Sequence, residues 1–80
     1  MLKPNLKLKA TRVEKGQLQS DVARILKVSE QTYNQKELGK RDFTLRECKI
    51  LARHFNKTMD EIFFADQVNN NKTMSNINKI

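Results

Sequence analysis

The sequence predicts a small all-α domain built from five helices. Three observations support this fold class. Apolar residues recur at helical spacing instead of alternating, good helix-capping residues stand just before the apolar stretches, and the chain of 80 residues holds only 2 glycines and 1 proline. Such sparse use of glycine and proline suits helices joined by short turns. A chain of this length supports one domain with a modest core.

The composition favours a polyanionic partner. Sixteen Lys and Arg residues against nine Asp and Glu give a formal net charge of +7, although charge alone does not separate DNA from RNA or an anionic membrane. A single cysteine excludes an internal disulfide, so we expect a cytoplasmic protein. No apolar run approaches the roughly eighteen residues of a membrane span, and the charged N-terminus does not resemble a signal peptide. We therefore expect no association with a membrane.

Local signals set the ends of the first three helices. The first is predicted to begin near Asn5, a good N-cap, and to end at Gly16, a left-handed C-cap candidate. The second is predicted at about 19–26 and the third at about 30–37, with a tight turn between them. Gly39 then ends the third helix. These bounds give a helix, a turn and a second helix within about twenty residues.

The fourth helix has the clearest start signal in the chain. Thr44 and Glu47 have the spacing of a capping box, in which a hydroxyl and a carboxylate satisfy two backbone donors. At about 100° per residue, one apolar stripe follows, which we predict to be core. The stripe consists of Leu45, Cys48, Leu51, Ala52 and Phe55.

A second capping box, from Thr58 to Glu61, opens a short fifth helix with Ile62 and Phe63 facing inward. After Asp66 the composition becomes asparagine-rich and polar. We therefore predict a domain over 1–66 and a flexible polar tail over 67–80. Three apolar residues recur every third position in this tail, so an ordered segment that depends on a partner is the alternative.

The outer face of the third helix is unusual for a solvated surface. On a helical wheel, one arc of roughly 140° holds Glu30, Gln31, Asn34, Gln35 and Leu38. Tyr33 and the stem of Lys36 lie on the opposite side. Carboxamides carry both donors and acceptors, and they can bond bidentately to adenine in the major groove. Lys40 and Arg41 follow directly, at a distance suited to phosphates. This combination indicates DNA binding; a solvent-facing helix with incidental amides is the alternative.

Residues from about 8 to 64 resemble the Cro/cI-type (XRE-like) helix-turn-helix domain, a compact lambda-repressor-like unit of five helices found in phage repressors and bacterial regulators. Each matching element is weak alone, but together they have the order and spacing of the family, with the helix-turn-helix at about 19–37. The matching elements are Arg12, Gly16, Gln19, Val22-Ala23, Leu26, Val28-Ser29, Glu30–Glu37, Gly39-Lys40 and the DEIFF segment at 60–64.

The resemblance implies a role for each matching side chain. The expected base-contacting residues are Glu30, Gln31 and Gln35, and the expected phosphate-contacting residues are Gln19, Asn34, Lys40 and Arg41. Arg12 and Glu37 are expected to form an interior ion pair that ties the first helix to the third. Two roles are open for Glu30: its carboxylate could accept from cytosine N4, or it could simply stabilise the helix N-terminus.

Three positions depart from the family pattern. Lys27 stands in the tight turn where glycine is usual, so a left-handed conformation there would be strained. Leu18 replaces the usual Ser or Thr cap of the second helix, and Lys36 occupies a position that is usually apolar. These changes affect the turn and the cap but leave the outer face of the third helix intact.

We therefore expect a sequence-specific regulator of transcription that binds double-stranded DNA, as a phage or mobile-element repressor and as a homodimer. The alternative is a protein-interaction module or antitoxin of the same fold, with a protein partner bound through the C-terminal tail. We expect no enzyme, because the sequence has no glycine-rich phosphate loop and no nucleophile paired with a base. A lone histidine, His54, and a lone cysteine also make a metal or cofactor unexpected.

Overall fold

The structure is a computed structural model that describes residues 3–64. Within this range the chain forms four α-helices and one short π-helical segment, and the tail predicted at 67–80 lies outside the described residues. The elements are α1 (Leu6–Glu14), α2 (Gln19–Leu26), α3 (Glu30–Glu37), α4 (Leu45–Phe55) and the π-helical segment (Asp60–Phe64). The all-α prediction is confirmed, as are the predicted bounds of the second and third helices.

Reciprocal side-chain caps start the last two elements. The Thr44 hydroxyl accepts from the Glu47 amide at 3.1 Å, and the Glu47 carboxylate accepts from the Thr44 amide at 2.9 Å. Thr58 and Glu61 repeat this exchange at 3.1 and 2.8 Å. Both predicted capping boxes are therefore confirmed.

The start of α2 has only half of such a cap. Leu18 carries no side-chain acceptor, but the Asp21 carboxylate accepts from the Leu18 amide at 2.8 Å. At the end of α2, Lys27 adopts the left-handed conformation, with φ 62° and ψ 40°. The turn that follows thus has the predicted geometry with a lysine where glycine would be unstrained.

The core receives apolar side chains from all five elements. Its buried members are Leu8, Val22, Ala23, Leu26, Tyr33, Leu51, Phe55 and Ile62. The Phe43 ring, in the loop between α3 and α4, lies 6.1 Å from the Tyr33 ring and 5.4 Å from the Phe63 ring, measured between centroids. This core holds one side of α3 and leaves the other side toward solvent.

One predicted core residue is not in the core. Leu45 is 62% exposed, whereas Leu51 and Phe55 are buried and Cys48 and Ala52 are half-buried. On the wheel, Leu45 points about 100° away from the direction midway between Leu51 and Phe55, so it lies at the edge of the stripe. Its position in the first turn of α4 adds to this exposure, and the prediction was wrong for this residue. Separately, none of the helices within residues 3–64 has the length and apolar character needed to cross a bilayer.

Candidate nucleic-acid interface

The outward side of α3 is polar and accessible. Glu30 and Gln31 are exposed, Asn34 and Gln35 are half-buried, and Leu38 at the end of the arc is 40% exposed. On the opposite side, Tyr33 and Lys36 are buried. The predicted division of this helix into an inner and an outer side is therefore confirmed.

A buried ion pair fixes α3 against α1. Nε and Nη2 of Arg12 donate to the two carboxylate oxygens of Glu37 at 2.8 and 3.2 Å, and the Tyr33 hydroxyl donates to the same carboxylate at 2.8 Å. Nη1 of Arg12 also donates to the backbone oxygen of Gln17 at 2.8 Å. Arg12 and Glu37 thus form the ion pair that the resemblance implies. Its two parallel hydrogen bonds give the guanidinium and the carboxylate a defined relative orientation.

Electrostatics keep this pair charged. Burial would raise the pKa of Glu37, but hydrogen bonds from Arg12, Gln19 and Tyr33 outweigh it, so the pKa lies below the usual value. The hydrogen bond to Glu37 in turn raises the pKa of Arg12. Burial, followed by the hydrogen bond to Glu37, raises the pKa of Tyr33. Glu37 is therefore an acceptor-only group at neutral pH.

Two carboxamides extend this network to the surface. Nε2 of Gln19 donates to Glu37 at 3.0 Å, and Nδ2 of Asn34 donates to Oε1 of Gln19 at 3.1 Å. Gln19 and Asn34, two of the four residues expected to contact phosphates, are thus bonded to each other and, through Glu37, to Arg12. No local pattern in the sequence predicts this contact, because it joins α2 to α3 across the turn.

A second ion pair fixes α3 against α4. Nζ of Lys36 donates to both carboxylate oxygens of Glu47 at 2.6 and 2.8 Å, and their side chains are only 9% and 13% exposed. Burial would raise the pKa of Glu47, but the bonds from Lys36 and Thr44 lower it overall. The pair shows how a lysine is accommodated where the family usually has an apolar residue.

The N-terminal segment covers the C-terminal end of α3. The Asn5 amide donates to the Glu37 carbonyl at 2.9 Å, and the Asn5 side chain donates to the Lys36 carbonyl at 2.8 Å. Asn5 is the N-cap residue of α1, as predicted, but its side chain caps α3 and not α1. Gly39 has φ 85°, and a Cβ there would lie 2.3 Å from the Lys3 carbonyl oxygen. Asn5 therefore supplies a donor to the Glu37 carbonyl at the end of α3 and a second donor to the Lys36 carbonyl, which also accepts from the Gly39 amide.

Two exposed cations flank the outward side of α3. Lys40 and Arg41 are exposed, and Nη1 of Arg41 lies 3.5 Å from Oε1 of Gln35. At the N-terminus of α2, the backbone amides of Gln19 and Ser20 donate to no acceptor within residues 3–64. Unpaired backbone amides at the start of a helix commonly bind anions. Of the expected phosphate-contacting residues, Asn34 thus lies on the polar face of α3, Gln19 contacts it from the start of α2, and Lys40 and Arg41 follow α3 in the loop.

Cys48 and His54 lie apart from the outward face of α3. Within residues 3–64, no cluster of three His, Cys, Asp or Glu residues could hold a metal ion. Burial raises the pKa of the half-buried Cys48 thiol. Nε2 of His54 lies 2.8 Å from Oε1 of Gln17, which links the end of α4 to the loop before α2.

Comparison with known families agrees with this geometry. The model of the helix-turn-helix family matches residues 8–62, which is more than half of the chain. The protein belongs to this family, and specifically to its Cro/cI (XRE) type. It is a DNA-binding regulator of transcription, in which α2 and α3 form the helix-turn-helix. No curated protein matches the chain.

Proposed function

We propose that the protein is a sequence-specific repressor of phage or mobile-element type that inserts α3 into the major groove of double-stranded DNA. The observation that carries the proposal is the outward row of polar side chains on a helix whose inner side is held by two buried ion pairs. Rigid presentation matters because base readout needs donors and acceptors at defined positions.

The exposed carboxamides supply base recognition. An α-helix of about 10–12 Å diameter fits a major groove about 12 Å wide. Gln31 is exposed and Gln35 is half-buried beside it on the arc, so both face the groove floor. A bidentate contact between glutamine and adenine contributes about 1–3 kcal/mol of discrimination. Glu30 either accepts from cytosine N4 or stabilises the start of α3, and the binding preferences of Glu30→Ala separate these roles.

Exposed cations supply affinity and register. Lys40 and Arg41 lie just beyond α3 and contact phosphates on the strand beside the groove. On the other side of the turn, the backbone amides of Gln19 and Ser20 at the start of α2 donate to a further phosphate of the DNA. The net charge of +7 adds a general attraction to the duplex.

Homodimerisation follows from the small reach of one domain. The eight residues of α3 span about 12 Å, which covers about four base pairs. Four base pairs recur too often in a genome to define one operator. Two copies on half-sites about 34–36 Å apart would read a two-fold symmetric site. A cytoplasmic location follows from a DNA partner in a bacterial or phage-infected cell.

Selection of bound duplexes from a random pool tests the proposal. We expect enrichment of a two-fold symmetric motif. We also expect log affinity to fall linearly with log salt, with a slope of about −3.6 if each of two protomers neutralises two phosphates. A pool without an enriched motif, or a flat salt response, contradicts the proposal. If a tagged chain then retains a defined protein without DNA, the interaction-module alternative is favoured.

A further inference from the structure

We propose that Asn34 reads a base edge and that Gln19 holds its carboxamide in one orientation. This inference rests on the proposed function and changes the roles that the resemblance implied for both residues. Gln19 acts as a positioning residue, and Asn34 joins Gln31 and Gln35 in base recognition.

The first step is the direction of the hydrogen bonds. The ionised Glu37 carboxylate, paired with Arg12 at 2.8 Å, can only accept. Gln19 must therefore turn its NH₂ group toward Glu37, which it approaches at 3.0 Å. The opposite orientation would place the amide oxygen of Gln19 against a carboxylate oxygen. The buried charge thus determines the orientation of Gln19.

The second step is that the orientation of Gln19 determines the orientation of Asn34 at the surface. With its NH₂ group on Glu37, Gln19 presents Oε1 toward α3, where Nδ2 of Asn34 donates to it at 3.1 Å. Asn34 therefore cannot turn its amide oxygen toward Gln19 without placing two acceptors together. A carboxamide on the surface would ordinarily flip between two orientations, but this network selects one.

The third step is the place of Asn34 on the helix. On the wheel Asn34 lies about 40° from Glu30 and about 60° from Gln31, between two residues that are expected to contact bases. It is half-buried, with one side against Gln19. Its amide oxygen and its second N–H remain for an external partner. One acceptor beside one donor matches adenine, which offers N6–H and N7. A phosphate offers only acceptors, so it would bind the second N–H of Asn34 and leave the amide oxygen without a partner on the DNA.

Binding measurements on a library of single-base variants of the selected site test the inference. In Asn34→Ala, we expect loss of preference at one base pair of each half-site. In Gln19→Leu, we expect the preference at that same base pair to fall roughly 3- to 10-fold, the range of one neutral hydrogen bond. Its salt slope should equal that of the wild type, since no charge is removed.

Gln17→Leu is the matched control. It makes the same substitution two residues earlier, where the side chain contacts His54 and not α3. This variant should keep the wild-type preferences at every base pair. Thermal unfolding of each variant, followed by circular dichroism, establishes that the compared proteins are folded.

A double-mutant cycle separates positioning from direct contact. If Gln19 acts through Asn34, Gln19→Leu should change no base preference in the Asn34→Ala background. Equal effects in both backgrounds, or a uniform loss of affinity over all sequences, would overturn the inference and return Gln19 to a phosphate contact. If Gln19→Leu does not fold, Asn34→Ala still decides, since a uniform loss there also overturns the inference. Failure of the proposed function is distinct, because the wild type would then select no motif.

Discussion

Two glycines with similar backbone conformations make a controlled test of how the N-terminal segment packs. Gly16 has φ 72° and Gly39 has φ 85°, so alanine at either position would be forced into left-handed conformation. A Cβ at Gly16 meets nothing within 4 Å, but one at Gly39 would lie 2.3 Å from the Lys3 oxygen and 2.7 Å from the Lys3 carbonyl carbon. The difference between the two alanine variants therefore isolates the contact with Lys3.

The expected losses in the free energy of unfolding follow from the backbone strain of a left-handed alanine and from its overlap with Lys3. The left-handed conformation costs alanine about 1–2 kcal/mol, and the smaller entropy of the unfolded chain returns about 0.4–1 kcal/mol. We expect Gly16→Ala to lose about 0.5–1 kcal/mol on this basis. Overlap with backbone adds about 1–3 kcal/mol, so Gly39→Ala should lose about 1.5–4 kcal/mol.

Urea denaturation at pH 7 gives both free energies of unfolding, provided that the m value is unchanged. Thermal unfolding should agree, at about 4–8 °C for each kcal/mol in a domain of this size. A variant that lacks residues 1–4 removes Lys3, and in that background the two alanine substitutions should cost the same. If the two substitutions already agree within about 0.5 kcal/mol in the full chain, the packing of Lys3 on Gly39 is refuted.

Three further perturbations test the turn and the two ion pairs. Lys27→Gly should stabilise the domain by about 0.5–1 kcal/mol, since it relieves left-handed strain but gains unfolded entropy; a loss of stability in urea unfolding would contradict this. Because the folded pKa values of Glu37 and Glu47 lie below the ordinary value of 4.5, their stabilisation is complete above that pH and is lost as pH falls through the lowered values. Melting temperatures from pH 7 to pH 3 should therefore decline below about pH 4.5, and a flat profile would contradict the pairing. Lys36→Met should cost about 3 kcal/mol because it leaves Glu47 unpaired, whereas combining it with Glu47→Gln should cost less than the two single losses together; additive losses in urea unfolding would contradict the coupling.

Much of the fold is predictable because its signals are local. An N-cap serine, a glycine after a helix and a capping box each act within one turn, so the bounds Glu30–Glu37 and the start of α4 can be predicted from neighbouring residues. The bounds Gln19–Leu26 follow from the helical spacing of apolar residues, because α2 has neither a capping side chain at Leu18 nor a glycine after its end. The two sides of α3 are likewise set by helical periodicity alone. The buried Tyr33 and the exposed Gln31 follow from that periodicity.

The remaining features depend on contacts between distant segments. Periodicity gives an angle around a helix but not the neighbours that cover it, which is why Leu45 was assigned to the core although it is 62% exposed. Asn5 has the residue type of an N-cap, yet its side chain makes no capping bond to α1, and Nδ2 donates instead to the Lys36 carbonyl, 31 residues away. The Lys36–Glu47 pair and the contact of Gln19 with Asn34 need the packed fold to bring them together.

The most direct test of the regulator hypothesis compares Gln31→Ala with Lys40→Ala on a library of duplexes at several salt concentrations. Gln31→Ala should relax preference at one base position by about 1–3 kcal/mol and leave the salt slope unchanged. Lys40→Ala should weaken binding to all sequences alike and make the slope shallower by about 1 per protomer. If the two variants change the same preferences to the same degree, α3 is not the element that reads the duplex.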